Sequence, residues 1–345
     1  MHKSYFPGAN TPRGFVSRFA TMLQDPRVQR RIYIKGGAGC GKSTLMRRIA
    51  RLDEDSELGL CSSDPDSLDA ALLPKAGLCI CDATAPHVCE PGLCGVDGEY
   101  LDLGRFYDAA ALRERGPLLQ GLRQANQACY GVVTPALQAA QALYRQREAL
   151  VEQPLLAQRL QSAADSLTLP EGGGTGTVRR LFFTGVTPAG CLLCDGLLRR
   201  EERIYQLHDS YHLAGRYLRC LQNRALAAGL EVTAGMSPLF PDGDPEQLWI
   251  PQAGIALVRQ SSQFGTISGA ITLDLDPLAS PSSQARREAA YLRELTGQIL
   301  DTAVRQLAKA KAIHDELEAA LHPYVDFEGV TRTADGLADD IQRLM

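Results

Sequence analysis

Ile32, Tyr33 and Ile34 form a short apolar run that breaks off at a string of glycines, after which Leu45, Met46, Ile49 and Ala50 recur at helical spacing. The pattern predicts a strand over 31–35, a glycine-rich loop, and a helix over 42–52. Further apolar runs predict strands over 58–61 and 77–82, and short runs divided by helices and turns point to a buried parallel sheet. From 108 to 165 the chain is rich in Leu, Ala, Gln and Arg with apolar residues at helical spacing. This predicts a long helical hairpin, with breaks near Gly116-Pro117 and Pro135.

The pattern then occurs a second time. Arg31-Ile32-Tyr33 is echoed by Arg203-Ile204-Tyr205, and the strand 76–82, preceded by Pro74, by the strand 253–259, preceded by Pro251. Thr11-Pro12 with Gly14 is echoed by Thr187-Pro188 with Gly190, and the helical stretch 137–148 by 307–318. Helices are expected over 283–322 and 334–344. The run 170–177, with four glycines, reads as a flexible linker. The organisation predicted is α/β: a half over 1–170, a linker over 171–177 and a half over 178–345, packed as a pseudo-dimer, each with a parallel sheet followed by a helical hairpin. Because three strands make a small sheet, the segment 179–184 is expected to complete the first sheet and Tyr5-Phe6 the second, interlacing the halves.

The loop between the first predicted strand and helix carries the clearest chemistry. Gly36-Gly37-Ala38-Gly39-Cys40-Gly41-Lys42-Ser43-Thr44 completes the pattern G-x-x-x-x-G-K-[ST]. Glycines let successive N–H groups turn inward around a polyphosphate, Lys42 brings charge to the outer phosphates, and the Ser43 hydroxyl suits Mg²⁺. A helix opening there adds the positive end of its dipole. Asp82, ending the strand 77–82, matches the acid that closes the Mg²⁺ shell. Residue 83 is Ala, not a water-activating Glu, so Asp64, Asp66 and Asp69, or Thr84 and His87, are the candidates to handle a proton. The competing readings are a helix cap for the aspartates and a satisfied loop histidine for His87. Arg13, Arg47, Arg105, Arg216 and Arg259 are candidates for transition-state charge. In the second copy His208, Leu213, Ala214 and Gly215 fall at the places of Gly36, Gly41, Lys42 and Ser43, and Arg259 at that of Asp82, so this copy is not expected to bind Mg-nucleotide.

Composition narrows the rest. The 345 residues are 45% apolar and 22% charged, enough for globular cores, and the net charge of −4 gives no basic field for nucleic acid. The beginning of the chain lacks an apolar signal region and no stretch is long enough to span a membrane, which predicts a cytoplasmic protein. Ten cysteines without metal-type spacing read as buried thiols, Cys191-x-x-Cys194 included.

Phe6-x-Gly8 with Thr11-Pro12-Arg13-Gly14-Phe15, the glycine loop, Cys61-Ser62-Ser63-Asp64-Pro65-Asp66-Ser67-Leu68-Asp69 and Asp82-Ala83-Thr84-Ala85-Pro86-His87-Val88 together resemble a bacterial family of tandem-repeat P-loop proteins, described as ATPases or nucleotide-kinase-like. The resemblance covers nearly the whole chain, and it implies ATP as the nucleotide. In that family both halves can carry a phosphate loop, and this chain departs by losing the second. Three functions follow as expectations: a P-loop ATPase with one Mg-ATP site, a small-molecule or nucleotide kinase using Asp64 or Asp66, and a nucleotide-gated interaction protein without turnover.

Overall fold

The computed structural model describes residues 3–261, 267–343 and 345. The first half opens with β1 (Lys3–Tyr5), the hairpin β2 (Gly8–Thr11) and β3 (Gly14–Ser17), and α1 (Phe19–Leu23). It continues with β4 (Arg30–Lys35), α2 (Lys42–Ala50), β5 (Glu57–Cys61), β6 (Asp64–Leu73), β7 (Leu78–Asp82) and β8 (Glu99–Asp102), then α3 (Ala109–Glu114), α4 (Gly116–Ala149) and α5 (Leu156–Asp165). The second half begins with β9 (Thr177–Leu181) and the hairpin β10 (Thr184–Thr187) and β11 (Gly190–Leu193). There follow β12 (Arg203–His208), α6 (Ala214–Ala227), β13 (Glu231–Met236), β14 (Pro245–Ile250), β15 (Ile255–Arg259) and β16 (Ile271–Asp274). α7 (Asp276–Ala279), α8 (Ser283–Leu321) and α9 (Phe327–Gln342) close the chain. The expected last helix thus starts earlier, and its expected end at Leu344 lies outside the described residues.

The fold is α/β with two mixed sheets. The first has the order β1-β5-β6-β7-β4-β8 and the second, read from the matching edge, β9-β13-β14-β15-β12-β16. Corresponding pairs share direction: β5–β6–β7 and β13–β14–β15 are antiparallel, and the others parallel. The wholly parallel sheet inferred from the apolar runs is therefore corrected. Residues 62–63 and 74–77 are too short to carry a parallel crossover, so the chain turns back on itself and inserts β6. The two Thr-Pro turns also match, since Thr11 Oγ1 donates to the Gly14 carbonyl at 2.7 Å and Thr187 Oγ1 to Gly190 at 2.8 Å.

The interlacing of strands is overturned. β1 pairs with β5 and β9 with β13, each inside its own half, and the two segments meet at the bridge Phe6–Phe182 and where Arg179 donates to the Tyr5 hydroxyl at 2.6 Å. Polar partners hold β1 in place, because Lys3 pairs with Asp55 at 3.0 Å and the Tyr5 hydroxyl donates to Glu57 at 2.9 Å.

What does cross between the halves is helical. α4 does not fold back on α5 as a hairpin; it packs along α8 of the other half, where Val133, Leu137, Ala140 and Tyr144 meet Leu300, Ala303 and Leu307. α5 packs on α6 and α9 on α2, each completing the core of the opposite half. Pro135 does not break α4. It sits on the exposed face, and burial of Val133 and Leu137 on the other face carries the helix through the lost bond.

Each sheet has two apolar faces. Ile32, Ile34, Ile80 and Leu73 face α2 and α9, whereas Tyr33, Cys79, Cys81 and Leu72 share a core with Leu181, Phe183, Ala256 and Val258 of the second sheet. The layers therefore run helix, sheet, sheet, helix, with the α4–α8 pair alongside. None of the ten cysteines is in a disulfide, and Cys40, Cys79, Cys81, Cys129 and Cys194 are buried as small apolar groups, while Cys94 is exposed. Among the described residues no helix is long and apolar enough to cross a membrane.

One ion cluster ties the halves at the sheet edges. Glu57, 3% exposed, accepts from Arg27 at 2.8 Å and from Arg179 of β9 at 2.6 Å, and Arg179 also lies 3.7 Å from Asp25. Burial alone would raise the Glu57 carboxyl, but Arg179 and then Arg27 outweigh it and hold it below the usual range. Replacing Arg179 by Met is expected to cost about 1.5–3 kcal/mol at neutral pH, since Glu57 keeps one of two charged partners. Because the Glu57 pKa is lowered on folding, that stabilisation is present above about 4.5, the unfolded value, and is lost as pH falls through the folded one. Urea denaturation of both proteins at pH 7 and in acid should show the gap narrowing; an equal gap at both would remove the carboxylate from the account.

Candidate functional site

The glycine loop joins β4 to α2, as the pattern predicts. Gly39 and Gly41 take φ of +71° and +87°, backbone that side chains resist, and this turns the loop about the start of the helix. Lys42 opens α2, and its ammonium donates to the carbonyl oxygens of Gly36, at 2.8 Å, and Gly37, 3.6 Å from the Asp82 carboxylate. Asp82, at the end of the neighbouring β7, accepts the Thr84 N–H at 2.8 Å, and the Thr84 hydroxyl donates to Gly36 at 2.9 Å. Ser43 Oγ accepts the Leu68 N–H at 2.9 Å, which leaves a lone pair on the hydroxyl oxygen for a cation. Loop, lysine, hydroxyl and strand-end acid thus converge at the carboxyl ends of β4 and β7.

Two contacts at this loop have no counterpart in the sequence reading. Tyr107 donates its hydroxyl to Ala38 at 2.5 Å. Glu318, near the end of α8 and hence from the other half, accepts the Gly39 N–H at 2.9 Å. The nearby His314 lowers the pKa of Glu318 most, burial opposes this, and the Gly39 N–H and Lys42 reinforce it, so the group is a carboxylate at neutral pH. An anion from the opposite half is seated on one of the loop's backbone donors.

The other sequence candidates divide. Asp64 and Asp66 do not cap a helix; they lie in the first residues of β6, where the β5–β6 register is irregular. Asp64 accepts from Ser67 at 2.8 Å and stands 3.6 Å from Lys311 of α8, while Asp66 is exposed and lends its main-chain oxygen to Arg47. Neither is brought to the loop by a contact of its own. Asp69 lies across the β6–β7 ladder from Asp82, one step beyond the pair Ala70–Cys81. Burial, and then the Asp82 charge, push its carboxyl up to about 8. His87 is buried between Phe15 and Phe19 with Nε2 3.3 Å from Asp69, and burial pulls its pKa down to about 4, so it stays neutral. The proposed charge donors are engaged elsewhere: Arg13 with Asp242, Arg105 near Thr333, Arg216 with Glu152, and Arg259 with Glu246 and Asp209.

The second copy solves the same backbone problem differently. Its ladder sets Leu207 opposite Arg259, as Ile34 stands opposite Asp82. Lys42 follows Ile34 by eight positions and Ala214 follows Leu207 by seven, so this loop is one residue shorter, and Asp209 rather than His208 takes the place of Gly36. The buried Asp209 carboxylate accepts the N–H groups of Tyr211, Leu213 and Ala214 at 2.8–3.1 Å. Arg259 lies 3.4 Å from it, and these partners outweigh burial to keep Asp209 ionised. The end of α4 covers this loop as α8 covers the first: Arg147 donates twice to the Ser210 carbonyl, and Glu148 lies 3.7 Å from Arg216.

Comparison with family models, with curated proteins and with solved structures returns no match for this chain.

Proposed function

We propose that the chain is an ATP-binding P-loop NTPase with a single Mg-ATP site in its first half. The observation that carries this reading is the convergence of the 36–43 loop, Lys42 and Asp82, with Lys42 and Asp82 3.6 Å apart. The loop N–H groups bind the phosphate chain, and Lys42 turns from the Gly36 and Gly37 carbonyls to the outer phosphates. Ser43 and Asp82 offer the hard oxygens that would hold Mg²⁺, which would supply neutralisation of phosphate charge. With Ala83 beside Asp82 and His87 facing away to Asp69, water has no strong base, so hydrolysis is slow. The short loop filled by Asp209 makes the second half silent.

Glu318 favours a gating role. Its carboxylate and a phosphate need the same Gly39 N–H, so nucleotide entry displaces Glu318 and loosens the end of α8. The state of the site is thereby coupled to the α4–α8 pair, the element suited to holding a partner. The kinase reading has no comparable support, because Asp64 is engaged by Ser67 and Lys311 and Asp66 is turned to solvent.

Calorimetry with Mg-ATP should give one site per chain, and Lys42→Ala should weaken it about ten- to a hundredfold by loss of a charge-assisted phosphate contact. Unchanged affinity in the folded variant, or a second site that survives it, would defeat the assignment. Asp82→Asn is expected to lower Mg²⁺-dependent turnover more than ATP affinity, the backbone cradle being intact; wild-type turnover at limiting Mg²⁺ would make Asp82 a strand-end residue only. Glu318→Gln should tighten ATP binding about three- to tenfold, a half-exposed carboxylate having a modest hold on the loop. Equal or weaker binding in this variant would show that Glu318 does not compete with phosphate.

A further inference from the structure

Cys61, Asp69 and His87 lie beside the Asp82 strand, and the nucleotide reading leaves them without a task. Cys61 ends β5, where the β5–β6 register shifts on both sides of Leu60. The shift re-aims the strand end toward Asp69. His87 arrives from the loop after β7, held by its N–H to the Thr84 carbonyl at 2.8 Å and by the rings of Phe15 and Phe19. One ligand atom from each of the three residues falls within 4.8 Å of the others.

One feature of this cluster is costly unless something binds there. Asp69, 5% exposed, has an oxygen, Oδ2, with no hydrogen-bond partner, and this oxygen faces His87 Nε2 at 3.3 Å. Buried polar atoms of this kind are rare because each forfeits its hydration. The separation is wide for a charge-assisted hydrogen bond, whose length is about 2.7–2.9 Å. It matches the edge of a tetrahedron around a metal with bonds to nitrogen and oxygen of about 2.1 Å, which is about 3.4 Å. On the sulfur side, burial and then the Asp69 charge push the Cys61 thiol well above its usual range, opposed by the main-chain N–H groups of Ser63 and Asp64, so the thiolate would form only with a metal's charge beside it.

We propose that Cys61, Asp69 and His87 form a Zn²⁺ site, with Cys61 Sγ, Asp69 Oδ2 and His87 Nε2 as ligands and a fourth position for water. A thiolate, an imidazole and a carboxylate are the mixed, borderline-soft donor set that Zn²⁺ takes and Mg²⁺ does not. The site is separate from the Ser43–Asp82 oxygens, though Asp69 and Asp82 stand on adjacent strands. The metal would lock the end of β5 and the middle of β6 to the loop that follows Asp82, and so hold Thr84, and through it Gly36, in place.

Cobalt reports on the ligands without any assay of activity. Full-length protein stripped with a chelator and titrated with Co²⁺ should develop intense visible bands of tetrahedral coordination and a near-ultraviolet thiolate-to-cobalt band, both bleached by equimolar Zn²⁺. Cys61→Ser should lose the charge-transfer band. His87→Gln should weaken Co²⁺ more than about a hundredfold, beyond the ten- to hundredfold of a lost outer partner. Lys42→Ala and Cys89→Ser should keep the full spectrum, which separates this site from the nucleotide loop and from the neighbouring thiols Cys81 and Cys89, whose sulfurs lie 3.7 Å apart. Circular dichroism of each stripped variant establishes that it is folded. A wild-type titration without tetrahedral bands, or a charge-transfer band that persists in Cys61→Ser, overturns the proposal; where Cys61→Ser does not fold, the wild-type titration and the His87→Gln affinity decide.

Discussion

Both sheets are apolar on both faces, and neither half can cover its own. On the outer face of its own sheet each half packs α2 or α6, and α2 has just nine residues. The remaining face of each sheet is closed by the other sheet, and the gap beside α2 or α6 by a helix that the other half sends across, α9 or α5. Once those exchanges are imposed, the long helices α4 and α8 must run past each other between the halves, and their ends are delivered to the opposite loops. The carboxylate of Glu318 on Gly39 is therefore a consequence of how apolar surface is buried, not an isolated contact.

The two loops show how one backbone motif can be kept open or closed by a single acid. A turn at the start of a helix presents unpaired N–H groups that demand an anion. In the second half the anion is built in: Asp209 sits one step after β12, the shorter loop wraps it, and Arg259 neutralises it. In the first half glycines occupy those positions, and the anion comes from a separate helix on one hydrogen bond. An internal carboxylate cannot leave without unfolding the turn, whereas one borne on a neighbouring helix can.

Local pattern carried much of this fold and stopped where the information is no longer local. The strands around Ile32–Ile34 and Leu78–Asp82, the helix from Lys42, the repeat and the loss of lysine from the second loop were all legible, because spacing and residue type decide them. The strand β6 was not: Asp64, Asp66 and Asp69 interrupt it, and the continuous apolar run is only Ala70 to Leu73. Nor does alternation say which sheet Tyr5 joins, since either would bury it equally; Glu57 and Arg179 decide that. Pro135 looked like a break because its exposed setting depends on α8. Glu318 is one of many charged residues on a helical face, and Asp209 was masked by a loop one residue shorter than its counterpart.

The exchange of helices also reverses the order in which the halves can mature. The core beside α6 contains Leu156, Leu160 and Ala164 of α5 and extends to Ala289, so its parts exist well before the chain ends. The core beside α2 contains Val330, Ala334, Ala338 and Ile341. During synthesis the first half, though earlier to emerge, waits for α9 before Leu45, Met46 and Ile49 are sealed, while the later half can condense ahead of it. A chain lacking α9 therefore leaves the glycine loop's own helix with bare apolar surface, and the quality of the whole product is read out at that loop.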